Sequence, residues 1–363
     1  MDISSLLPEE ILEIITQWGQ PAYHAKQIFK WIHQKHVTSF DEMTNISIEL
    51  RKKLGQLSNI SVAEITQKHV SKNDKTIKFM SSFDERTFIE SVLMEYNHGN
   101  SVCISTQVGC RMGCTFCASS ESGLMRNLSA GEMCAQVYAA IKLNKSDNAT
   151  VKNIVLMGCG EPLDNFDSVL RFIELITHPM GINIGQRHIT LSTCGIIPQI
   201  YKLAEYKQNS QKLQITLAIS LHAPTNKIRE ILMPISKKYP LEELIEACKF
   251  YVFATNRRVT FEYALAKGVN DSLTQAKALV NLLEDFPHNL CHINIIPINK
   301  TNGASGSFFP TSRKDLHMFA EFLQKNNIST TVRRSLGSDV SAACGQLRAK
   351  NPPPVALVGV EGV

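Results

Sequence analysis

"VGCRMGCTFCAS", residues 108–119, places Cys110, Cys114 and Cys117 at the spacing C-x3-C-x2-C. The segment directly follows "SVCIST" (101–106), a short run with the composition of a buried strand. Soon after it comes Ser129-x-x-Glu132, a capping box that opens the helical run "MCAQVYAAIKL". The same strand–loop–helix order then recurs. Further strand-like runs are "NIVLMG" (153–158), "HITLST" (188–193), "QITLAISLH" (214–222), "RVTFEYAL" (258–265), "HINIIPI" (292–298) and "STTVRRS" (329–335). Helical stretches fit between them, with Pro198 and Pro240 where the first helical position is expected. Such alternation predicts an α/β fold with a parallel sheet and crossover helices. About six units are too few to close an eight-fold barrel, so a partial barrel or an open sheet is expected.

The chain upstream differs in pattern. "PEEILEIITQWG", "AYHAKQIFKWIHQKH" and "SIELRKKLGQL" carry helical periodicity and predict a small helical domain over residues 1–60. "SVAEITQKHV", "KTIKFM" and "TFIESVLMEY" predict an extended, hairpin-containing link over 61–100. The core is expected over 101–345, and 346–363 as a loose tail. With 363 residues, 44% hydrophobic and 20% charged, the composition is that of a soluble globular protein. The acidic start, with no basic n-region, is not that of a signal peptide, and no apolar run reaches membrane-spanning length. A cytoplasmic protein is expected, in which ten cysteines do not serve as disulfide staples. The net charge of +5 is compatible with nucleic acid without requiring it.

The cysteine loop follows a strand, where α/β folds gather their active sites. Structural zinc takes four ligands, and no fourth cysteine or histidine lies at finger spacing. Three close thiolates suit a 4Fe–4S cluster with one iron left open, shielded by Phe116. The cysteine pattern resembles that of the radical SAM superfamily, which implies a partial (β/α)6 TIM-like barrel and S-adenosylmethionine (SAM) as the second cofactor. "GCGEP" (158–162) then resembles the turn that meets the ammonium of SAM, with Gly160 and Glu161. Ser192, Ser220, Leu221, His222 and Asn299 follow other strands at the same expected rim and complete the expected SAM pocket.

Nearly the whole chain is similar to the RlmN/Cfr family of RNA methyltransferases. The resemblance is carried by "GQPAYHAKQIFKWI", "GCRMGCTFCAS", "RNLSAGEM", "GEPLDN", "SLHAPT" and "AACGQLRAK". It implies methylation of adenosine through a methylated cysteine, here Cys344, with two SAM molecules per turnover. One methylates Cys344; the other is cleaved by an electron from the cluster, and the resulting radical takes hydrogen from the methyl group. The carrier carbon adds to the adenine ring, a base removes the ring proton, and Cys103 releases the product by forming a disulfide. Glu90, in "TFIESVLME", is the expected base; Cys103 is its rival, and a solvent-facing glutamate on an edge strand is the plain alternative. The resemblance further implies 23S rRNA and tRNA as substrates, C2 of adenine as the target, a flavodoxin or ferredoxin as electron donor, and a monomer. Lys26, Lys30, Lys35, Arg51, Lys52 and Lys53 are expected to meet RNA phosphates. C8 methylation in the manner of Cfr, a non-catalytic RNA-binding protein with structural metal, and a methylthiotransferase are the competing readings. The last lacks its second cysteine trio. Cys134, Cys159, Cys194, Cys248 and Cys291 are assigned to packing.

Overall fold

The computed structural model describes residues 1–96, 99–144, 150–298, 301–303, 306–334, 336–342 and 346–347. Asn299 and Cys344 lie outside the described residues.

Among the described residues a ten-stranded sheet is formed, its strands lying side by side in chain order. β1 (Glu64–Val70), β2 (Ile77–Ser82), β3 (Phe88–Met94) and β4 (Asn100–Cys103) pair antiparallel. From β4 onward the pairing is parallel, through β5 (Val151–Leu156), β6 (Ile189–Thr193), β7 (Thr216–Ser220), β8 (Val259–Leu265), β9 (Cys291–Pro297) and the short β10 (Thr330–Val332). Each strand from β4 to β9 is followed by at least one helix, which makes six βα units and matches the expected barrel. The segment 61–100, expected as a linking β-hairpin or extension, continues the same sheet past β4, with β2 and β3 paired as a hairpin. β3 is thus paired along both edges, and all seven of its residues are buried.

Local signals explain where helices begin and end. α1 (Pro8–Gln17) starts on proline, with Glu9 and Glu10 against the positive end of its dipole. α2 (Tyr23–His33) and α3 (Ile48–Leu57) complete the N-terminal helices. α4 (Ala130–Leu143) carries the expected capping box: Glu132 N–H donates to Ser129 Oγ at 3.1 Å, and Ser129 N–H donates to Glu132 Oε2 at 2.8 Å. α5 (Phe166–Thr177), α6 (Ile197–Glu205), α7 (Asn226–Leu232), α8 (Leu241–Thr255), α9 (Leu273–Leu282) and α10 (Arg313–Lys325) follow. Pro198 falls in the first turn of α6; Pro240 is the N-cap of α8, one position earlier than expected.

One apolar core joins the N-terminal helices to the barrel, with Ile11, Ile28 and Phe29 in the same packed cluster as Ile154, Leu191 and Leu217. Each such buried side chain contributes about 1.5–3 kcal/mol. Polar ties reinforce the junction. Asp2 accepts from Ser129 Oγ at 2.9 Å, and Arg171 pairs with Glu10 at 2.8 Å.

Candidate active site

The loop after β4 enters a small hairpin, Gln107–Gly109 paired with Leu124–Asn127, which frames the three cysteines. Thr115 N–H donates to the Leu232 carbonyl at 3.0 Å and anchors the far side of the loop. Cys110, Cys114 and Cys117 all line one cavity. Phe116 lines it too and meets the His222 ring edge-on, 4.9 Å between centroids. Burial, with added repulsion from Glu161 and the neighbouring cysteines, pushes the Cys110 thiol up to about 12. Burial and the same neighbours hold Cys114 well above its ordinary value. Cys110 and Cys114, whose thiols resist ionisation, together with Cys117 on the same cavity, fit a cationic iron–sulfur group, whose charge would relieve that repulsion. Among the described residues no His, Cys, Asp and Glu side chains converge on a single-ion site.

The turn after β5 forms the next wall. Gly160 has φ +107°, and a Cβ there would lie 2.6 Å from Gln107 Cβ, so only glycine fits. Glu161 is buried, and its carboxylate accepts from Cys194 N–H at 2.7 Å and Leu163 N–H at 3.0 Å. Burial raises its pKa, against the pull of those donors. Glu161 thus ties the end of β5 to the end of β6 while its edge faces the cavity. Ser192 and Ser220 line the same cavity from the ends of β6 and β7. His222 does so with φ +57°, and its Nδ1 accepts from Ala264 N–H at 3.0 Å. Burial, with Arg229 nearby, lowers its pKa to about 3, so the ring is neutral and Nε2 carries the proton. Leu221 is not among the lining residues. Its side chain joins the main core, and its carbonyl accepts from Arg229.

Two residues that hold this rim carry no local signal in the sequence. Arg229 is fully buried and donates to the carbonyls of Cys194, Ser220 and Leu221. Asn270, also fully buried, donates to the carbonyls of His222 and Ala264 and accepts from Ala266 N–H. Cys194, assigned to packing, lines the cavity and joins Glu161 to Arg229 through its backbone.

Across the cavity lie Met94, Tyr96, Glu262 and Arg333, with Leu336, Ala342 and Leu347 of the C-terminal segment. Ser119 Oγ donates to the Leu347 carbonyl at 2.8 Å and joins this segment to the cysteine loop. Glu262 is a buried strand glutamate that the sequence reading passed over. Burial raises its pKa, and Arg333 stands 4.0 Å away.

Cys103 and Glu90 are buried and are not among the residues that line the cavity. Cys103 packs with Val92, Ala342 and Leu347. Glu90 is 4% exposed and pairs with Lys78 at 3.3 Å, so the solvent-facing alternative is excluded. Of the N-terminal cations, Lys26, Lys30, Lys35 and Lys52 are exposed, while Arg51 and Lys53 are half-buried.

Comparison with known proteins agrees with this arrangement. Residues 1–60 match the ribosomal RNA large subunit methyltransferase N-terminal domain, and residues 104–277 match the radical SAM superfamily. A probable dual-specificity RNA methyltransferase RlmN of Clostridium novyi is 50% identical over 340 residues, 94% of this chain and 95% of that protein. The chain belongs to the RlmN family of radical SAM RNA methyltransferases. A second RlmN relative, from Thermoanaerobacter sp., is 48% identical over 96% of this chain and 98% of its own length. The crystal structure of a radical SAM methyltransferase from Sphaerobacter thermophilus superposes with a TM-score of 0.90 at 41% identity, covering 96% of this chain and all of that one. The RlmN-family cofactors are a 4Fe–4S cluster and SAM. Among the described residues no helix is long and apolar enough to cross a membrane.

Proposed function

We propose that the chain methylates C2 of adenosine in 23S rRNA and, 3′ of the anticodon, in tRNA, with Cys344 as methyl carrier and two SAM molecules per turnover. One observation carries this reading. Ala342 and Leu347, which flank Cys344 in sequence, line the same cavity as Cys110, Cys114 and Cys117 and pack on Cys103.

C2 of adenine is not a nucleophile, so direct transfer from SAM fails and a carrier is needed. Bound in this cavity, the cluster and SAM supply the one-electron reduction that starts radical chemistry. Cys110, Cys114 and Cys117 would hold the cluster. Glu161 offers its remaining lone pairs to the SAM ammonium. Ser192, Ser220 and Asn299 would orient the rest of SAM, and the Nε2–H of His222 would supply a neutral donor. The carrier carbon bonds to C2, Glu90 accepts the C2 proton, and the unpaired electron left on the ring passes to a one-electron acceptor such as the redox partner. Cys103 then attacks the sulfur of Cys344. An S–S bond forms, the carrier C–S bond breaks, and the methylated carbon takes the electron pair and a proton. A dithiol reductant reopens the disulfide.

Residues 1–60 serve as the accessory unit, 61–100 as the extension, 101–345 as the catalytic core and 346–363 as the tail. Exposed Lys26, Lys30, Lys35 and Lys52 meet RNA phosphates. The protein acts as a cytoplasmic monomer supplied with electrons by a flavodoxin or ferredoxin.

The test is anaerobic purification with iron and sulfide analysis, intact mass, and nucleoside analysis of RNA after turnover. About four irons per chain, one added methylene mapped to Cys344, and 2-methyladenosine are expected. 8-Methyladenosine as sole product would overturn the C2 assignment; zinc without iron would overturn the enzyme reading.

A further inference from the structure

Lys78 is a buried cation that none of these steps uses. Its side chain is 10% exposed, and it sits in β2, on the extension that precedes the barrel. Strand register places it among the residues of the second half of the reaction. Lys78 lies opposite Val92, and Val92 lies opposite Cys103. Directly opposed residues share a sheet face, and Glu90, two residues before Val92, shares it too. Lys78, Glu90 and Cys103 therefore face the same way, toward the side where Ala342 and Leu347 pack.

Lys78 touches two partners at once. Its Nζ is 3.3 Å from Glu90 Oε1, and it donates to the Ser341 carbonyl at 3.3 Å. A lysine kept only to balance the charge of Glu90 has no need of the second bond. Ser341 stands three residues before Cys344 and adopts φ +51°. The turn ahead of it is fastened to the same extension. Gly337 N–H donates to Asp74 Oδ2 at 2.8 Å, and Lys72 N–H donates to Asp339 Oδ2 at 3.0 Å. The link between β1 and β2 is thus a clamp on the segment that leads to Cys344, and Lys78 is its buried joint.

We propose that Lys78 is a positioning residue for methyl transfer to RNA, holding the base Glu90 in register with the segment that delivers Cys344. This rests on the roles given to Glu90 and Cys344 above. A lysine suits the task because one ammonium donates to a carboxylate and a carbonyl together. Misplacement of about 1 Å between reacting groups lowers a rate about 100-fold.

The test compares Lys78→Met, Lys78→Arg, Glu90→Gln and the double variant Lys78→Met/Glu90→Gln, all as full-length chains. The double variant leaves no lone buried charge, so it keeps the question open if Lys78→Met alone fails to fold. Lys78→Met is expected to retain iron and RNA affinity and to lose about 100-fold in kcat for 2-methyladenosine, with the RNA KM unchanged. Lys78→Arg is expected to recover most of that loss. In the cluster-free protein, amide exchange over residues 337–342 is expected to rise about tenfold in both Lys78→Met and the double variant. Wild-type exchange in the double variant would overturn the clamp. Wild-type kcat in Lys78→Met beside a defective Glu90→Gln would overturn the proposal and leave the role of Glu90 standing. Wild-type kcat in Glu90→Gln would overturn both.

Discussion

The guanidinium of Arg229 donates to the carbonyl of Cys194 at 2.6 Å. It also reaches the carbonyls of Ser220 and Leu221, so one side chain fastens the ends of β6 and β7. Glu161 completes the arrangement by accepting from the amide of that same Cys194. Replacing Arg229 with methionine leaves three buried carbonyls without this donor. Such orphaned acceptors cost about 1–3 kcal/mol each. Arg229→Met is expected to lower the unfolding free energy by about 3 kcal/mol or more, read by urea denaturation, and to weaken SAM binding in calorimetry. Arg229→Lys is expected to fare little better, because an ammonium cannot span three carbonyls as the planar fork does. Wild-type stability in both variants would show that the loops are held by other means.

Single replacement of Cys110, Cys114 or Cys117 by alanine removes one of three thiolates from the cysteine loop. Each variant is expected to fall from about four irons per chain to near none after anaerobic reconstitution, and to lose all methylation of RNA. The fold should persist, because Cys114 and Cys117 are only partly buried and the loop is anchored through Thr115. Iron analysis with circular dichroism checks this. A variant that kept full iron would remove its cysteine from the ligand set.

Cys103→Ala separates loading from release. Cys103 packs on Val92, Ala342 and Leu347, where a small apolar side chain is tolerated. The variant should keep its iron and its methyl mark, because neither requires the second thiol. Turnover should fall at least about 100-fold, since no disulfide can form to expel the product. Intact mass and nucleoside analysis of the same preparation check the two halves. Wild-type turnover would mean that the carrier is relieved by another group.

Much of this site was legible because its chemistry is contiguous in sequence. The cysteine loop needs three thiols within one turn of chain, and the Gly160–Glu161 turn needs a glycine at positive φ beside a carboxylate. Strand alternation likewise announced six βα units. What stayed hidden depends on convergence of distant segments. Arg229, Asn270 and Lys78 each sit in unremarkable local sequence, and their partners lie from four to more than two hundred and fifty residues away. Which edge the hairpin of 61–100 would join was not legible, because strand pairing is non-local and nothing in "KTIKFM" states it. The same blindness left Glu90 open to a solvent-facing reading, which the covering strands remove. Leu221, expected in the SAM pocket, turns its side chain into the main core and offers its carbonyl to Arg229.

The junction of the N-terminal helices with the barrel carries a pH dependence of its own. His33, at the end of α2, is fully buried against α4, where its Nδ1 lies 2.7 Å from Tyr138 Oη. Burial, with smaller contributions from His178 and His36, lowers its pKa from 6.5 to about 3. The unfolded chain therefore takes up a proton below about pH 6.5 that the native chain refuses. The stability that neutral His33 contributes is present above that value and is lost as the pH falls toward about 3. The slope from this one group reaches about 1.4 kcal/mol per pH unit. His33→Phe keeps the ring contact with Phe29, removes the bond to Tyr138 and removes the titration. At pH 7 the variant should be about 1 kcal/mol less stable than the wild type. On acidification the wild type loses ground faster, and the two stabilities should cross below about pH 6. Urea unfolding at pH 7, 6 and 5 measures this directly. A gap between the two proteins that stays constant across those three pH values would mean that His33 already binds its proton in the native junction.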